Sequence, residues 1–176
     1  MKNINFKRLM DSKRQQRLKC RILDMETSAN MFGDMTEYVD DFFSKYATYP
    51  IDWVYDVNHK ICVQNNNTHF NGDPNINSNR GIVLNLFGID ELPPYIEFGA
   101  INGNFVCLNV NNLKTTKGFP EIVTGNFEIH GFSQRNKLSD TSGFPKRVGG
   151  DLILENCPKI TTVTTRIGGD FIIVEP

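Results

Sequence analysis

The sequence contains two similar nine-residue stretches, FPEIVTGNF at residues 119 to 127 and FPKRVGGDL at residues 144 to 152. Each joins a Phe-Pro pair to Val, and then to Gly followed by Asn or Asp and a large apolar residue. The shorter motif apolar-x-Gly-Asn/Asp-Phe/Leu has its glycine at residues 103, 125, 150 and 169, so its periods are 22, 25 and 19 residues. Such periods are typical of solenoids, in which each coil buries its apolar face only against neighbouring coils.

A short strand is expected after each Gly-Asn or Gly-Asp pair. The four strand segments are FVCL, FEIH, LILE and FIIV, and Gly81 before IVLNL starts a degenerate first copy. Stacked coils would align them as parallel strands of one sheet. Alternation then sends one set of side chains inward: Phe105, Cys107, Phe127, Ile129, Leu152, Leu154, Phe171 and Ile173.

The residues that recur in every coil are interpreted as scaffold. A glycine permits a positive φ or a close backbone approach where the chain enters a strand. In each Phe-Pro pair, Phe packs inward and Pro restricts φ. The structural positions are Gly103, Phe105, Pro120, Gly125, Phe127, Pro145, Gly150, Leu152, Gly169 and Phe171. Asn112, Asn136 and Cys157 follow the strands, where they can hydrogen-bond the turning backbone.

The chain ahead of the repeats has a different character. We predict, in order, a polar helix over residues 4 to 22, a turn over 30 to 34, a helix over 35 to 47 capped by Thr36, a hairpin over 51 to 63 and a polar loop over 64 to 80. Helical spacing of aromatic residues supports the second helix. Strand-forming residues on both sides of DVNHK support the hairpin.

These patterns predict an α+β fold, with N-terminal helices followed by a short leucine-rich-repeat-like parallel β-solenoid of about five irregular coils. LILENCPKI at residues 152 to 160 matches the leucine-rich-repeat core. The predicted sections are residues 1–50, helical with a basic first helix; residues 51–80, a hairpin lead-in and an Asn-rich loop; and residues 81–176, the solenoid.

The segments VNHKICV (residues 57 to 63) and GIVLNLFGIDELPPYIEFGA (residues 81 to 100), with the repeats that follow, extend the similarity. Residues 51 to 176 resemble a family of short leucine-rich-repeat-like proteins of tailed, T4-like bacteriophages. GFSQR, which starts at Gly131, departs from the family pattern as an insertion. The resemblance implies a phage protein that binds and inhibits a host protein, such as a component of anti-phage defence.

Composition restricts the partners and the compartment. Net charge is −1, and no apolar run has the length of a membrane span or the position of a signal core. We therefore expect a cytoplasmic protein that does not enter a membrane, with its four cysteines as free thiols. Residues 2 to 21 are basic and residues 24 to 56 are acidic. This asymmetry fits two solvated helix faces that attract each other. It also fits a basic arm, with Arg14 and Arg17, that binds RNA, DNA or an acidic protein surface.

No motif in the sequence indicates catalysis, a metal site or a cofactor. His59, Cys62 and His69 lie near one another, but a zinc site needs four ligands and no fourth is evident. No Ser or Cys belongs to a recognisable set of nucleophile, base and orienting group. We therefore predict that the protein is not an enzyme, with no catalytic residue, no metal and no cofactor.

Recognition of another protein is the leading functional hypothesis. The predicted partner-binding residues are Arg14 and Arg17 in the arm and Glu128, His130, Ile153, Glu155, Ile172 and Val174 on outward strand positions. His130 is expected to point outward and to stand alone. The last coil has no polar cap, so we expect it to be covered by a second copy, by the N-terminal helices or by a partner. The alternatives are a nucleic-acid-associated protein that uses the basic arm, and a structural component of the virion.

Overall fold

The structure is a computed structural model that describes residues 29–63, 81–132 and 136–175. It contains helix α1 (Ala29–Tyr46) and strands β1 (Trp53–Tyr55), β2 (Ile61–Val63), β3 (Ile82–Asn85), β4 (Phe98–Ile101), β5 (Phe105–Leu108), β6 (Ile122–Val123), β7 (Phe127–His130), β8 (Arg147–Val148), β9 (Leu152–Glu155), β10 (Arg166–Ile167) and β11 (Phe171–Val174). The chain divides into two compact units, Met1–Asp41 and Phe42–Pro176, with the boundary inside α1. Within the described ranges, no helix combines the length and apolar character needed to cross a membrane.

The repeats form a parallel β-solenoid of about four turns, which confirms the predicted parallel β-solenoid. Strands β3, β5, β7, β9 and β11 are neighbours in one five-stranded sheet. A second sheet, in the order β1-β2-β4-β6-β8-β10, was not predicted. Its strands are only two to four residues long, and β4, β6, β8 and β10 lie just before the glycine of a repeat. The prediction of about five coils is not confirmed, because five stacked strands enclose only four turns.

A stack of phenylalanine rings fills the space between the two sheets. Phe105 and Phe127 are opposite each other in adjacent strands, and their rings are parallel within 6° with centroids 5.7 Å apart. The rings of Phe119 and Phe144, from the two Phe-Pro pairs, contact this stack edge-on. The centroid of Phe119 lies 5.4 Å from that of Phe105, and the centroid of Phe144 lies 5.0 Å from that of Phe127. All four rings are buried. Each coil therefore shares its core with its neighbours.

The Asn or Asp of each repeat links one coil to the next. Asn104 accepts a hydrogen bond from the backbone N–H of Asn126 through its side-chain oxygen at 2.9 Å. In the next coils, the Asn126 side-chain oxygen accepts the backbone N–H of Asp151 at 3.0 Å, and an Asp151 carboxylate oxygen accepts the backbone N–H of Asp170 at 2.9 Å. The preceding glycines also approach one another: the N–H of Gly125 donates to the carbonyl of Gly103 at 2.8 Å. A Cβ on Gly125 would collide with Asn104 and with the Gly103 backbone, so only glycine fits there.

Helix α1 begins earlier than predicted. The expected turn over residues 30 to 34 is wrong, because α1 runs from Ala29 through this segment. Thr36 lies inside the helix and therefore does not cap it. A glycine inside a helix costs only about 1 kcal/mol relative to alanine, so Gly33 does not force a break. The predicted helix over residues 4 to 22 lies outside the described residues.

The end of α1 packs on the solenoid core. Phe43 is buried, and its ring lies 6.1 Å from Phe98 and 6.3 Å from Trp53. The predicted hairpin is present, since β1 and β2 are antiparallel with Trp53 opposite Val63. The Asp56 carboxylate stabilises its turn by accepting hydrogen bonds from the backbone N–H groups of residues 58 and 60 at 2.8 and 2.9 Å. The predicted loop over residues 64 to 80 lies outside the described residues.

The last coil differs from the others in burial. Leu152 and Leu154 are buried as predicted from alternation, but Phe171 and Ile173 are exposed although they have the same inward register. Their expected burial is wrong, because β9 covers β11 on one side and no described strand covers it on the other.

Candidate functional site

The outward side chains of the five-stranded sheet form two rows across the coils, which we call the outer strip. Strand register places residues 83, 106, 128, 153 and 172 in one row and residues 85, 108, 130, 155 and 174 in the other. The rows read Val83, Val106, Glu128, Ile153, Ile172 and Asn85, Leu108, His130, Glu155, Val174. Six of these ten side chains are therefore apolar, and three of the four polar ones lie next to each other on β7 and β9.

A cluster of Glu128, His130 and Glu155 occupies the centre of the outer strip. His130 Nε2 lies 3.1 Å from a Glu128 carboxylate oxygen, and Nδ1 lies 2.6 Å from a Glu155 oxygen. A neutral imidazole has only one N–H, whereas both ring nitrogens here face carboxylate acceptors. The geometry therefore favours the imidazolium, which donates one hydrogen bond to each glutamate.

The electrostatics of the cluster agree with this geometry. The hydrogen bond with Glu128 raises the pKa of His130, and partial burial opposes this shift without cancelling it. The hydrogen bond from His130 lowers the pKa of Glu128, whose other oxygen lies 3.3 Å from the Asn126 amide nitrogen. With His130 protonated and both glutamates ionised, the cluster carries a net charge of −1.

Several predicted partner-binding residues are adjacent on this surface. Strand pairing brings Glu128 beside Ile153 and His130 beside Glu155, while β11 adds Ile172 and Val174 at the edge of the strip. The expectation that His130 points outward is met, but the expectation that it stands alone is wrong. Arg14 and Arg17 lie outside the described residues.

The sequence contained a signal for this cluster that the prediction missed. His130 and Glu155 are 25 residues apart, which is the period between Gly125 and Gly150. Aligning the two coils on their glycines places the two side chains opposite each other, and alternation places Glu128 on the same face.

Two exposed phenylalanines lie just beyond the carboxyl ends of strands in the same sheet. Phe87 follows β3 and is 78% exposed, and Phe132 follows β7 and is 80% exposed. The backbone N–H of Phe132 is held by the Asn111 side-chain oxygen at 2.8 Å. These rings lie at one margin of the outer strip, where large apolar side chains are typical of interaction surfaces.

A groove of about 370 Å³ lies at the corners formed by the Phe-Pro pairs. Lys60 in its wall is bonded to Glu121 at 2.5 Å and to Glu97 at 3.2 Å. The hydrogen bond with Glu121 raises the pKa of Lys60, and the same bond lowers the pKa of Glu121. Lys146 lies 3.4 Å from Glu121. These side chains neutralise one another across the coils, so the groove is best explained as part of the scaffold.

The predicted absence of a zinc site concerns residues that are only partly described. His59 has a φ of 58° in the hairpin turn, and Cys62 accepts a hydrogen bond from the Ala100 N–H at 3.4 Å. Among the described residues, no group of three or more His, Cys, Asp or Glu side chains could hold a metal ion. His69 lies outside the described ranges.

Buried polar side chains after the strands form hydrogen bonds where the coils turn. Asn136 donates from its amide to Cys157 Sγ at 3.3 Å and accepts from the Leu138 N–H at 3.0 Å. Burial raises the pKa of the Cys157 thiol to about 12 and raises that of the Cys107 thiol strongly. Both thiols are therefore kept protonated at neutral pH, which suits core packing rather than nucleophilic chemistry.

Comparisons of the chain with protein-family models, with curated proteins and with solved structures give no match.

Proposed function

We propose that the chain is a non-catalytic protein-binding module that presents the outer strip to a partner protein. The observation that carries the proposal is a solvent-facing β-sheet that is mainly apolar and has the Glu128–His130–Glu155 cluster at its centre. Protein interfaces commonly combine apolar contact with a few central polar groups that determine specificity. The exposed rings of Phe87 and Phe132 extend the apolar contact beyond the strip.

The location of the cluster favours binding over catalysis. A catalytic site usually gathers its nucleophile, base and orienting group in a concave pocket. The cluster lies instead on the face of a sheet, and the described groove at the Phe-Pro corners is lined by other residues. The role of His130 and its glutamates is therefore to present an ordered set of polar groups.

The charge of the outer strip favours a protein partner over nucleic acid on this face. The strip contains two glutamates and neither lysine nor arginine. Phosphate groups are bound mainly by Lys and Arg, and carboxylates would repel them. Nucleic-acid binding would have to use the basic arm at Arg14 and Arg17, and it would then decrease steeply with salt.

The resemblance to short leucine-rich-repeat-like phage proteins supports a more specific proposal. We infer that the partner is a bacterial host protein, such as a component of anti-phage defence, and that binding inhibits it. A role as a spacer in the virion is the competing proposal. Mass spectrometry of purified particles would detect the chain in the second case.

The test is affinity capture from a bacterial lysate with the full chain and two charge-reversal variants. Glu155→Lys replaces one negative charge of the outer strip with a positive charge. Glu91→Lys is the matched control, because Glu91 is exposed in a turn outside the strip. Circular dichroism checks that both variants fold. We expect at least one protein to be retained by the wild type and by Glu91→Lys, and retention by Glu155→Lys to fall at least tenfold.

Equal retention of every bound protein by Glu155→Lys would show that the outer strip does not bind the partner. If the retained proteins disappear from the capture after nuclease treatment, or when Arg14 and Arg17 are replaced, the nucleic-acid alternative is supported instead.

A further inference from the structure

The two ends of the five-stranded sheet are finished differently. At the β3 end, Ala47 forms a bridge with Leu84, the Thr48 N–H donates to the Val83 carbonyl at 3.0 Å, and the Tyr49 hydroxyl lies 3.1 Å from the Gly81 carbonyl. The inward residues of β3, Ile82 and Leu84, are fully buried. The segment after α1 therefore covers this end of the solenoid.

At the other end, β11 has an open edge among the described residues. Its inward side chains Phe171 and Ile173 are 39% and 42% exposed, and its outward side chains Ile172 and Val174 are 37% and 42% exposed. Four consecutive apolar residues on a strand edge form a template for pairing with another strand, and natural edges of this kind are usually protected by a charge, a proline or a bulge. None of these devices interrupts Phe171–Val174.

We propose that this edge binds a second copy of the chain, with β11 pairing antiparallel to the β11 of the other copy about a two-fold axis. An isologous contact requires a surface that is complementary to itself. The β11 edge meets this condition because it carries only apolar side chains over four residues. Two copies also do not repel strongly overall, since the chain has a net charge of only −1.

The alternation of side chains restricts the register of this pairing. Opposite residues in antiparallel strands point to the same face, so an inward residue must be opposite an inward residue. A two-fold axis at Ile172 meets this condition: Ile172 lies opposite its own copy, and Phe171 lies opposite Ile173 of the other copy. An axis at Ile173 would place Phe171 opposite Glu175, and a charge would then face the core. The register centred on Ile172 is therefore preferred.

This pairing would join the two five-stranded sheets edge to edge. The inward side chains of Phe171 and Ile173 would then be covered, as Ile82 and Leu84 are at the β3 end. The outer strips of the two copies would continue across the two-fold axis. Dimerisation is nevertheless independent of the proposed function, since it requires no partner protein.

The test measures the mass of the purified full chain by size-exclusion chromatography with light scattering over a range of concentrations. We expect twice the chain mass of 20.0 kDa for the wild type. Ile172→Lys places a charge at the two-fold axis and is expected to give a monomer. Ile122→Lys is the matched control, because Ile122 is 42% exposed on the other sheet and should leave the dimer intact.

Disulfide trapping tests the register. In a background with Cys20 and Cys62 replaced by Ser, Ile172→Cys should form a covalent dimer on mild oxidation, because directly opposite residues lie within the Cα separation of disulfides. Val174→Cys should not form one, because Val174 lies opposite Asp170 of the other copy.

A wild-type monomer at all concentrations, a mass above that of two copies, or a dimer that persists in Ile172→Lys would overturn the proposal. Trapping by Val174→Cys but not by Ile172→Cys would overturn the register. None of these measurements includes a partner protein, so they do not depend on the outcome of the capture experiment.

Discussion

At the scale of single residues, His130 shows how position within a coil changes the chemistry of a side chain. Glu128 faces it from its own strand β7, Glu155 from the neighbouring strand β9, and Leu108 lies beside it on β5. The two carboxylates favour the charged imidazole, while half-burial limits its access to water. The structure therefore predicts a titration that couples to stability.

We expect the cluster to stabilise the fold most in mildly acidic solution. The pKa of His130 is raised above its ordinary value of 6.5, so its contribution is complete below pH 6.5 and is lost as the pH rises through the folded-state pKa. The pKa of Glu128 is lowered from 4.5, so its contribution is present above pH 4.5 and is lost as the pH falls through the folded-state pKa.

His130→Gln removes the titrating group and keeps a polar side chain of similar length. The melting temperature of the wild type, measured by calorimetry from pH 5 to pH 9, should fall more steeply above pH 6.5 than that of His130→Gln. Parallel profiles for the two proteins above pH 6.5 would show that His130 does not couple to folding.

At the scale of the structural elements, the ladder of Asn and Asp side chains explains why each glycine is followed by one of these two residues. The side-chain oxygen at residues 104, 126 and 151 accepts the equivalent backbone N–H of the next coil. Both Asn and Asp supply this acceptor, and both occur in the motif. The requirement is therefore for an oxygen at that position rather than for a charge.

Asn104→Ala should destabilise the fold by about 1–2 kcal/mol, because it leaves the partly buried N–H of Asn126 without its acceptor. Asn104→Asp keeps the oxygen, as Asp151 does in its own coil, and should change the free energy of unfolding by less than about 0.5 kcal/mol. Urea denaturation followed by circular dichroism measures both. An equal loss in the two variants would mean that the side-chain oxygen is not what the position requires.

At the scale of the whole molecule, stability should depend on where a residue lies in the stack of coils. Phe127 contacts rings from three other positions and is fully buried, whereas the equivalent Phe171 is 39% exposed in the last coil. In a solenoid each coil is stabilised by its nearest neighbours, so a central coil has two stabilising interfaces and a terminal coil has one.

Phe127→Ala should therefore lower the free energy of unfolding by about 3–5 kcal/mol, as expected for the loss of a buried aromatic ring. Phe171→Ala should cost only about 1–2 kcal/mol in the monomer, since its ring buries less apolar surface. Both changes in the free energy of unfolding should be measured by urea denaturation of variants made in the Ile172→Lys background, where dimerisation does not contribute. Similar losses at the two positions would show that the coils do not differ in burial in solution.

Much of this fold can be predicted from local sequence patterns. The glycine period, the alternation after each Gly-Asn or Gly-Asp pair, and the two Phe-Pro pairs identify the coils, the strands from β5 to β11 of the five-stranded sheet, and the inward positions. The second sheet was missed because a strand such as Ile122–Val123 is only two residues long and has too little alternation to be recognised. The turn predicted at residues 30 to 34 failed because helix α1 tolerates one glycine.

Which side chains point inward can be read from the repeat pattern alone, because the two-residue alternation of a strand depends only on the backbone. Which outward side chains meet depends on the packing of the coils: His130 lies between Glu128 and Glu155 because adjacent coils stack in register. The packing of the coils also sets the burial of the end strands. Among the residues that the structure describes, a covering segment lies on the β3 end and none on the β11 edge, because burial depends on what packs against a strand and not on the residues within it.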